Sequence, residues 1–392
     1  MKYGIIDKSG TIVIPFQYSE LHILSEGLAA ACQNNKFGFI DQSGHTVIPF
    51  VFEDVLSNFS NGISIVRQNG KCGAINQKGE WIIPCEYEAA DAFNSQLSED
   101  MIILKKDGKW GAINRDCAVV VPFIYDSLGY DSECDAALFK RGKDEGLLTK
   151  ERKEILLNNY DEVFPFSEGR LMVSKDTLYG FIDVNGNEIV PCVYPLARDY
   201  VEGMAVVATK GKYGYLDLSG RITIPQIYTN GWDFSEGLGQ VKSINRKWGF
   251  VDKTGATAIP FEYSSVSRFN EGVAVVERGG LKGVIDKQGN EIIPCNLDYS
   301  IDFFHEGIAE IEKEDLDSFD NECTKGFMDL SGNVIVPCQY EETSQFYNGI
   351  GWIKDKGLWG CVNKAGEIVI PCQYSDFGRF GEIGLAVVGV EE

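Results

Sequence analysis

One short stretch of residues recurs along the chain at near-constant spacing, and this recurrence restricts the fold more than any other property of the sequence. Its clearest copy is 247–263, Lys-Trp-Gly-Phe-Val-Asp-Lys-Thr-Gly-Ala-Thr-Ala-Ile-Pro-Phe-Glu-Tyr. A glycine, preceded in most copies by an aromatic, marks each one: Gly4, Gly38, Gly73, Gly111, Gly146, Gly180, Gly214, Gly249, Gly283, Gly326 and Gly360, at steps of 34, 35, 38, 35, 34, 34, 35, 34, 43 and 34 residues. Ten of these eleven copies place a proline eleven residues after the glycine, from Pro15 and Pro49 through to Pro337 and Pro371. A fixed period of this size belongs to a repeat array, in which each copy is one supersecondary unit completed by its neighbours.

Each part of the unit has a physical reading. The run Trp248 to Asp252 is a strand, and Asp252 to Gly255 is a tight turn, since an Asp bonds its own backbone and a Gly takes positive φ. The same Asp-x-x-Gly turn stands at Asp7, Asp41, Asp183, Asp217, Asp286 and Asp329, with Asn76 and Asn363 in the same role. A β-branched second strand follows and is expected to stop at the proline, which cannot donate to a ladder. Two aromatics lie in the connector, such as Tyr263 and Phe269, and a further glycine opens an apolar third strand such as 272–276. The expected architecture is all-β: eleven three-stranded antiparallel meanders of about 34 residues, stacked as an open superhelical solenoid. The alternative is a closed, propeller-like ring, because the chain starts on a first strand and ends on a third one, two half-hairpins that closure would join.

The register of aromatic-Gly-aromatic-Ile/Val-Asp, x-Ile-Pro-x-x-Tyr and Phe-x-Glu-Gly resembles the bacterial WG-repeat (KWG-type) family, named for the Trp-Gly seen here at Trp110-Gly111, Trp248-Gly249 and Trp359-Gly360. The resemblance spans essentially all of 1–392, with units starting near Tyr3, Phe37, Cys72, Trp110, Glu145, Tyr179, Tyr213, Trp248, Lys282, Lys325 and Trp359. It implies a β-repeat array that binds something, and it brings no catalytic residues with it. Cys72, Glu145, Lys282 and Lys325 depart from the aromatic, and the unit at Gly146 lacks the turn Asp, the turn Gly and the Pro. The degenerate stretch 115–160 is therefore where an interruption of the stack is expected.

Composition narrows the function. No Gly/Ser-rich or Pro-rich linker breaks the period, so 1–392 reads as a single array. A formal net charge of −22 repels phosphate backbones and argues against nucleic acid. No apolar run is long enough to span a membrane, and Tyr3-Gly4 already reads as strand, so no signal peptide is expected. Five of the eleven cysteines, Cys85, Cys192, Cys295, Cys338 and Cys372, follow the unit proline in the slot that Phe16, Phe50, Phe123 and Phe261 fill elsewhere. They read as small buried hydrophobes, reduced in a cytoplasmic protein.

No constellation of catalytic groups emerges. His22, His45 and His305 fall in different units, and the Asp-x-x-Gly turns lack the alternating ligands of a calcium loop. No metal and no cofactor are expected. The acidic insertion at 310–322 lengthens its unit to 43 residues, and its Glu314, Asp315, Asp317, Phe319 and Asp320 form a candidate binding loop, against the alternative of a solvated hairpin tip. The expected function is a non-enzymatic binding or scaffold surface for protein partners. An accessory structural module of a larger system and, further off, a hydrolytic enzyme are the alternatives.

Overall fold

The computed structural model describes residues 1–91, 101–131, 133–314, 323–381 and 383–391. Among these residues the strands form eleven four-stranded antiparallel sheets, and no helix is long and apolar enough to cross a membrane.

The fourth strand corrects the three-stranded unit. Within one sheet the order is Ser265–Val266, Val273–Arg278, Leu281–Asp286 and Glu291–Leu297. The connector thus supplies the first strand, the third strand of one repeat is second, and the next repeat gives the last two. Every sheet straddles two sequence repeats, so the ends of the chain must supply one sheet together. They do: Lys2–Asp7 pairs with Leu385–Val390 from Lys2↔Val390 to Asp7↔Leu385, in the order Ile12–Tyr18, Lys2–Asp7, Leu385–Val390, Asp376–Phe377. An open solenoid would leave both ends as bare sheet edges, which closure removes. The open superhelical solenoid is therefore corrected, and the closed, propeller-like alternative stands.

The proline does not end its strand. Thr257–Tyr263 runs through Pro260, pairing Phe250↔Ile259 and then Trp248↔Tyr263. Between these pairs Gly249 alone faces three residues, 260–262, a bulge that absorbs the missing donor on the outer edge of the sheet. The bulge also explains Gly249. A Cβ there would lie 2.7 Å from the Ile259 oxygen and 2.9 Å from Phe261 Cδ1, so the unit glycine makes room for a bulge within its own sheet. The residue after the proline folds over that glycine; at Gly283 it is Cys295, whose Sγ would lie 2.8 Å from such a Cβ. These cysteines are half-buried lids, not core residues.

The degenerate unit keeps its sheet, Ser127–Asp131, Ala136–Arg141, Asp144–Leu148 and Glu154–Leu156. Thr149 stands in for the turn Asp, and Arg152 takes the glycine's place at φ 62°, bonded to the Thr149 carbonyl at 2.8 Å. The sheet itself persists because the turn's backbone bonds survive the loss of its usual residues.

The chain divides into two compact units, Met1–Asn158 with Leu358–Gly360 and Val369–Glu392, and Asn159–Gly357 with Cys361–Ile368. Within each, neighbouring sheets are joined in the same way. Aromatics meet edge to face between sheets, as Phe39 with Phe59 at 4.8 Å in the first unit and Phe250 with Phe269 at 4.8 Å in the second. Beside them runs a ladder of hydrogen bonds from the Ser-Glu-Gly turns. The two-residue turn between His305 and Ile308 has Glu306 at φ 54° and Gly307 at φ 78°, the type I′ form that twisted hairpins favour. Each such Glu reaches the next turn. Glu202 accepts from the backbone N–H of Glu236 and Gly237 at 2.6 and 2.8 Å. Glu271 accepts from Glu306 and Gly307 at 2.8 and 3.0 Å, and Glu306 from Asn348 and Gly349 at 2.7 and 2.8 Å. The preceding residue adds a rung: Ser235 Oγ donates to the Phe269 carbonyl at 2.7 Å. In the first unit Ser25 and Glu26 do the same toward Phe59 and Gly62.

Candidate functional site

The Asp-x-x-Gly aspartates are fully engaged in their turns. Asp252 Oδ1 accepts from the N–H of Thr254 and Ala256 at 2.9 and 3.0 Å, and its carboxyl is held below the ordinary value, first by the Thr254 hydroxyl. The histidines stay apart: His22 bonds Asn58, His45 lies beside Asp41, and His305 stacks on Tyr347. Among the described residues no group of three or more His, Cys, Asp or Glu side chains is placed to hold a metal ion. Of the candidate acidic loop, Glu314 ends the strand Ile308–Glu314, while Asp315, Asp317, Phe319 and Asp320 lie outside the described residues.

A different place stands out, in the second unit. The connector strands Leu196–Val201, Asn230–Ser235 and Ser300–His305 each carry a bulge just before the connector aromatic, between Ala197 and Tyr200, Gly231 and Phe234, and Ile301 and Phe304. The bulged pairs are Arg198-Asp199, Trp232-Asp233 and Asp302-Phe303. A bulge re-aims side chains that regular pleating would send to alternate faces. In the fourth connector, after Ser265–Val266, the same register holds Ser267-Arg268.

Of these, Trp232, Asp233, Arg268 and Phe303 line a cavity of about 540 Å³, together with Glu202 and Gln240 among others. Its size is that of ligand pockets in general. The Arg198 guanidinium lies 4.1 Å from the centre of the Trp232 ring, and that of Arg268 4.9 Å from the centre of Phe303. Trp232 is 44% exposed, an uncommon state for so large an aromatic. Beneath it, fully buried Tyr215 donates to the Trp232 carbonyl at 2.8 Å and fixes the bulge from below.

The cavity wall holds a polar atom with nothing to bond. Asp233 Oδ1 is buried without a hydrogen-bond partner among the described residues, and burial pushes its carboxyl above the ordinary range, against the pull of Arg198. Asp199 is raised too, by the density of protein around it and then by the charge of Asp233. Gln240 is 7% exposed, in a strand position that Val206 and Val275 fill in neighbouring repeats. A buried polar group without a partner costs stability, so such groups are retained where something else satisfies them. The sequence held a signal for this site: the position before the connector aromatic reads Asp199, Asp233, Arg268 and Phe303 in a repeat that is otherwise regular. Gln240 was a second, as the polar exception in an apolar strand.

Several solved structures are similar to the chain. One of a eukaryotic initiation factor is 10% identical, with 79% of this chain and 95% of that one covered and a TM-score of 0.37. The extracellular domain of a hybrid two component system from B. thetaiotaomicron is 10% identical, with 91% and 57% covered and a TM-score of 0.30. BamB from Moraxella catarrhalis is 12% identical, with 80% and 96% covered and a TM-score of 0.26. No curated protein matches the sequence. The WG containing repeat model matches eleven times, over 3–37, 37–72, 73–110, 110–143, 150–177, 179–213, 213–248, 248–281, 283–316, 326–359 and 359–392. The chain belongs to the WG-repeat family.

Proposed function

We propose that the protein is a non-enzymatic binding protein and that the bulged surface around Trp232 is where it holds a protein partner. The observation that carries this reading is the composition of that surface: an exposed Trp, a half-buried Phe and two arginines stacked on them, around a cavity. Trp and Arg dominate the energetics of protein interfaces because they bury large area and form directed contacts. Neither arginine has an ion-pair partner within the described residues, so each is open to contacts from a second molecule. Catalysis needs a nucleophile or a positioned acid–base pair; the hydroxyl that lines the site, Ser235, is engaged with the Phe269 carbonyl at 2.7 Å. A reducing, cytoplasmic setting belongs to the same reading and is supported by unbridged Cys32, Cys72, Cys85, Cys117, Cys192, Cys295 and Cys338.

The test is affinity capture with the intact protein and the double variant Trp232→Ala/Phe303→Ala, alongside Ile12→Ala at an exposed position in the other unit. A protein retained by wild type and by the Ile12 variant, and lost from the double variant, supports the reading. Identical captures by all three forms would overturn it, and turnover in a hydrolase screen abolished by Asp233→Asn would replace it with an enzymatic one.

A further inference from the structure

We infer that the Trp232 cavity receives the guanidinium of an arginine side chain displayed by the partner protein. The inference rests on the protein-binding reading above and names the chemistry of what enters. The first ground is the unmet bonding in the wall. Asp233 Oδ1 is buried without a hydrogen-bond partner among the described residues, and both Asp233 and the largely buried Gln240 line the cavity. Both offer oxygen acceptors, so the complementary occupant is a donor. A guanidinium carries five N–H donors in one plane and no acceptor.

The second ground is shape. The remaining wall includes the exposed Trp232 and the half-buried Phe303. A planar, weakly hydrated cation stacks on such faces and still directs its edge at a carboxylate, which a compact ammonium does less well. The site already contains an instance of that contact in Arg198 on Trp232 at 4.1 Å.

The third ground is charge. Of the charged side chains lining the cavity, Glu202 and Asp233 are acidic and Arg268 is basic. The carboxylates exceed the cations by one, which suits a monovalent cation, and the chain's net charge of −22 draws basic partners toward it. Arg268 at the rim opposes a second positive charge and so favours a lone arginine over a polybasic run.

The probe is a pair of short peptides, acetyl-Gly-Arg-Gly-amide and its citrulline counterpart, equal in size and differing in charge. They are titrated into the full chain labelled with 5-fluorotryptophan, with the Trp232 resonance assigned through Trp232→Phe. The arginine peptide should shift that resonance saturably, with the citrulline peptide at least tenfold weaker. Asp233→Asn should weaken the arginine peptide at least tenfold while its thermal midpoint stays at or above that of wild type. Equal shifts from both peptides, no saturable shift from the arginine peptide, or an unaffected Asp233→Asn would each overturn the inference. The capture experiment above is independent of these peptides: loss of capture in the double variant with no arginine effect would reject the guanidinium and keep the surface.

Discussion

Glu306→Ala is the substitution that most directly tests how neighbouring sheets are joined. Its carboxylate takes the N–H groups of Asn348 and Gly349 at 2.7 and 2.8 Å, and Lys364 Nζ lies 3.2 Å away. Hydrogen bonds to a charged group contribute about 1.5–3 kcal/mol. The Glu306 side chain is 25% exposed, so water partly replaces the lost acceptor, and we expect a loss of about 2 kcal/mol. The lysine adds little, being a half-exposed pair. Glu306→Gln keeps one acceptor and should cost about half as much. Burial alone would raise the Glu306 carboxyl, but the bonds from Gly349, Lys364 and Asn348 outweigh it and hold the group below its ordinary 4.5. A lowered carboxyl contributes its stability above pH 4.5 and loses it as pH falls through the lower folded-state value, so wild type and Glu306→Gln should converge in acid. Urea unfolding between pH 3 and 8 measures this, and amide exchange at Asn348 and Gly349 reads it locally. If Glu306→Ala left both the urea midpoint and the exchange of those two amides unchanged, the ladder would be a regular pattern without energetic content, and the reasoning would fail.

Other outcomes follow from single contacts. Gly249→Val, Gly214→Val and Gly360→Val should each destabilise by about 2–3 kcal/mol, since a Cβ would meet the Ile259, Ile224 and Ile370 oxygens at 2.7, 2.5 and 2.5 Å. Gly129→Ala, with nothing within 4 Å of its Cβ, is the neutral control in the same urea assay. Asp233→Asn should stabilise the fold at pH 7 by about 0.5–1 kcal/mol, because it removes a carboxylate whose ionised form burial disfavours; a raised carboxyl costs stability above its folded value, so the gain should vanish as pH drops, and calorimetry across pH checks the sign. Deleting 384–392 strips the strand that pairs with Lys2–Asp7 and should leave a sheet edge prone to association, seen by light scattering; a monomeric deletion of unchanged stability would mean that terminal pairing does not seal the fold.

Much of the fold was legible because the repeat states its own geometry. Asp252 and Gly255 announce a turn, and the turn is there with the Asp oxygen on Thr254 and Ala256. The connector strand was not legible, because a piece as short as Ser265–Val266 has no periodicity to detect and exists through pairing with Glu277 and Val276. Nor was the strand's passage through Pro260, which depends on an outer-edge position that only the assembled sheet defines. Closure was legible only as an alternative, since the two half-hairpins at the chain ends could join, and the four-stranded sheet spanning two repeats is what requires them to. The candidate site was hidden for the opposite reason. Reading for what recurs gives weight to Tyr200, Phe234, Phe269 and Phe304, which are buried and repeat, and passes over Asp199, Asp233, Arg268 and Phe303, which share one register but not one residue type.

That contrast indicates how a repetitive fold can carry a particular site. The contacts between sheets are made by the aromatic, the Ser or Asn after it, the Glu and the Gly, as in Phe234-Ser235-Glu236-Gly237, and these hold whatever precedes them. The two residues before the aromatic lie in a bulge outside the ladder, so their side chains are free of the pairing that fixes the rest. Substitution there changes the chemistry of the wall without loosening the sheets. If this is right, exchanging Trp232-Asp233 for the Asn230-Gly231 type of small polar pair should abolish arginine-peptide binding and leave the urea midpoint within about 1 kcal/mol of wild type. Grafting Trp-Asp onto Ser344-Gln345, ahead of Phe346 in its own repeat, removes the Ser344 hydroxyl that accepts from the Trp352 N–H at 3.3 Å and should cost about 1 kcal/mol without unfolding the chain, since Phe346 keeps its edge-to-face contact with Phe327 at 4.9 Å. Collapse of either variant would show that the bulge positions belong to the scaffold after all, and the separation of scaffold from site would have to be abandoned.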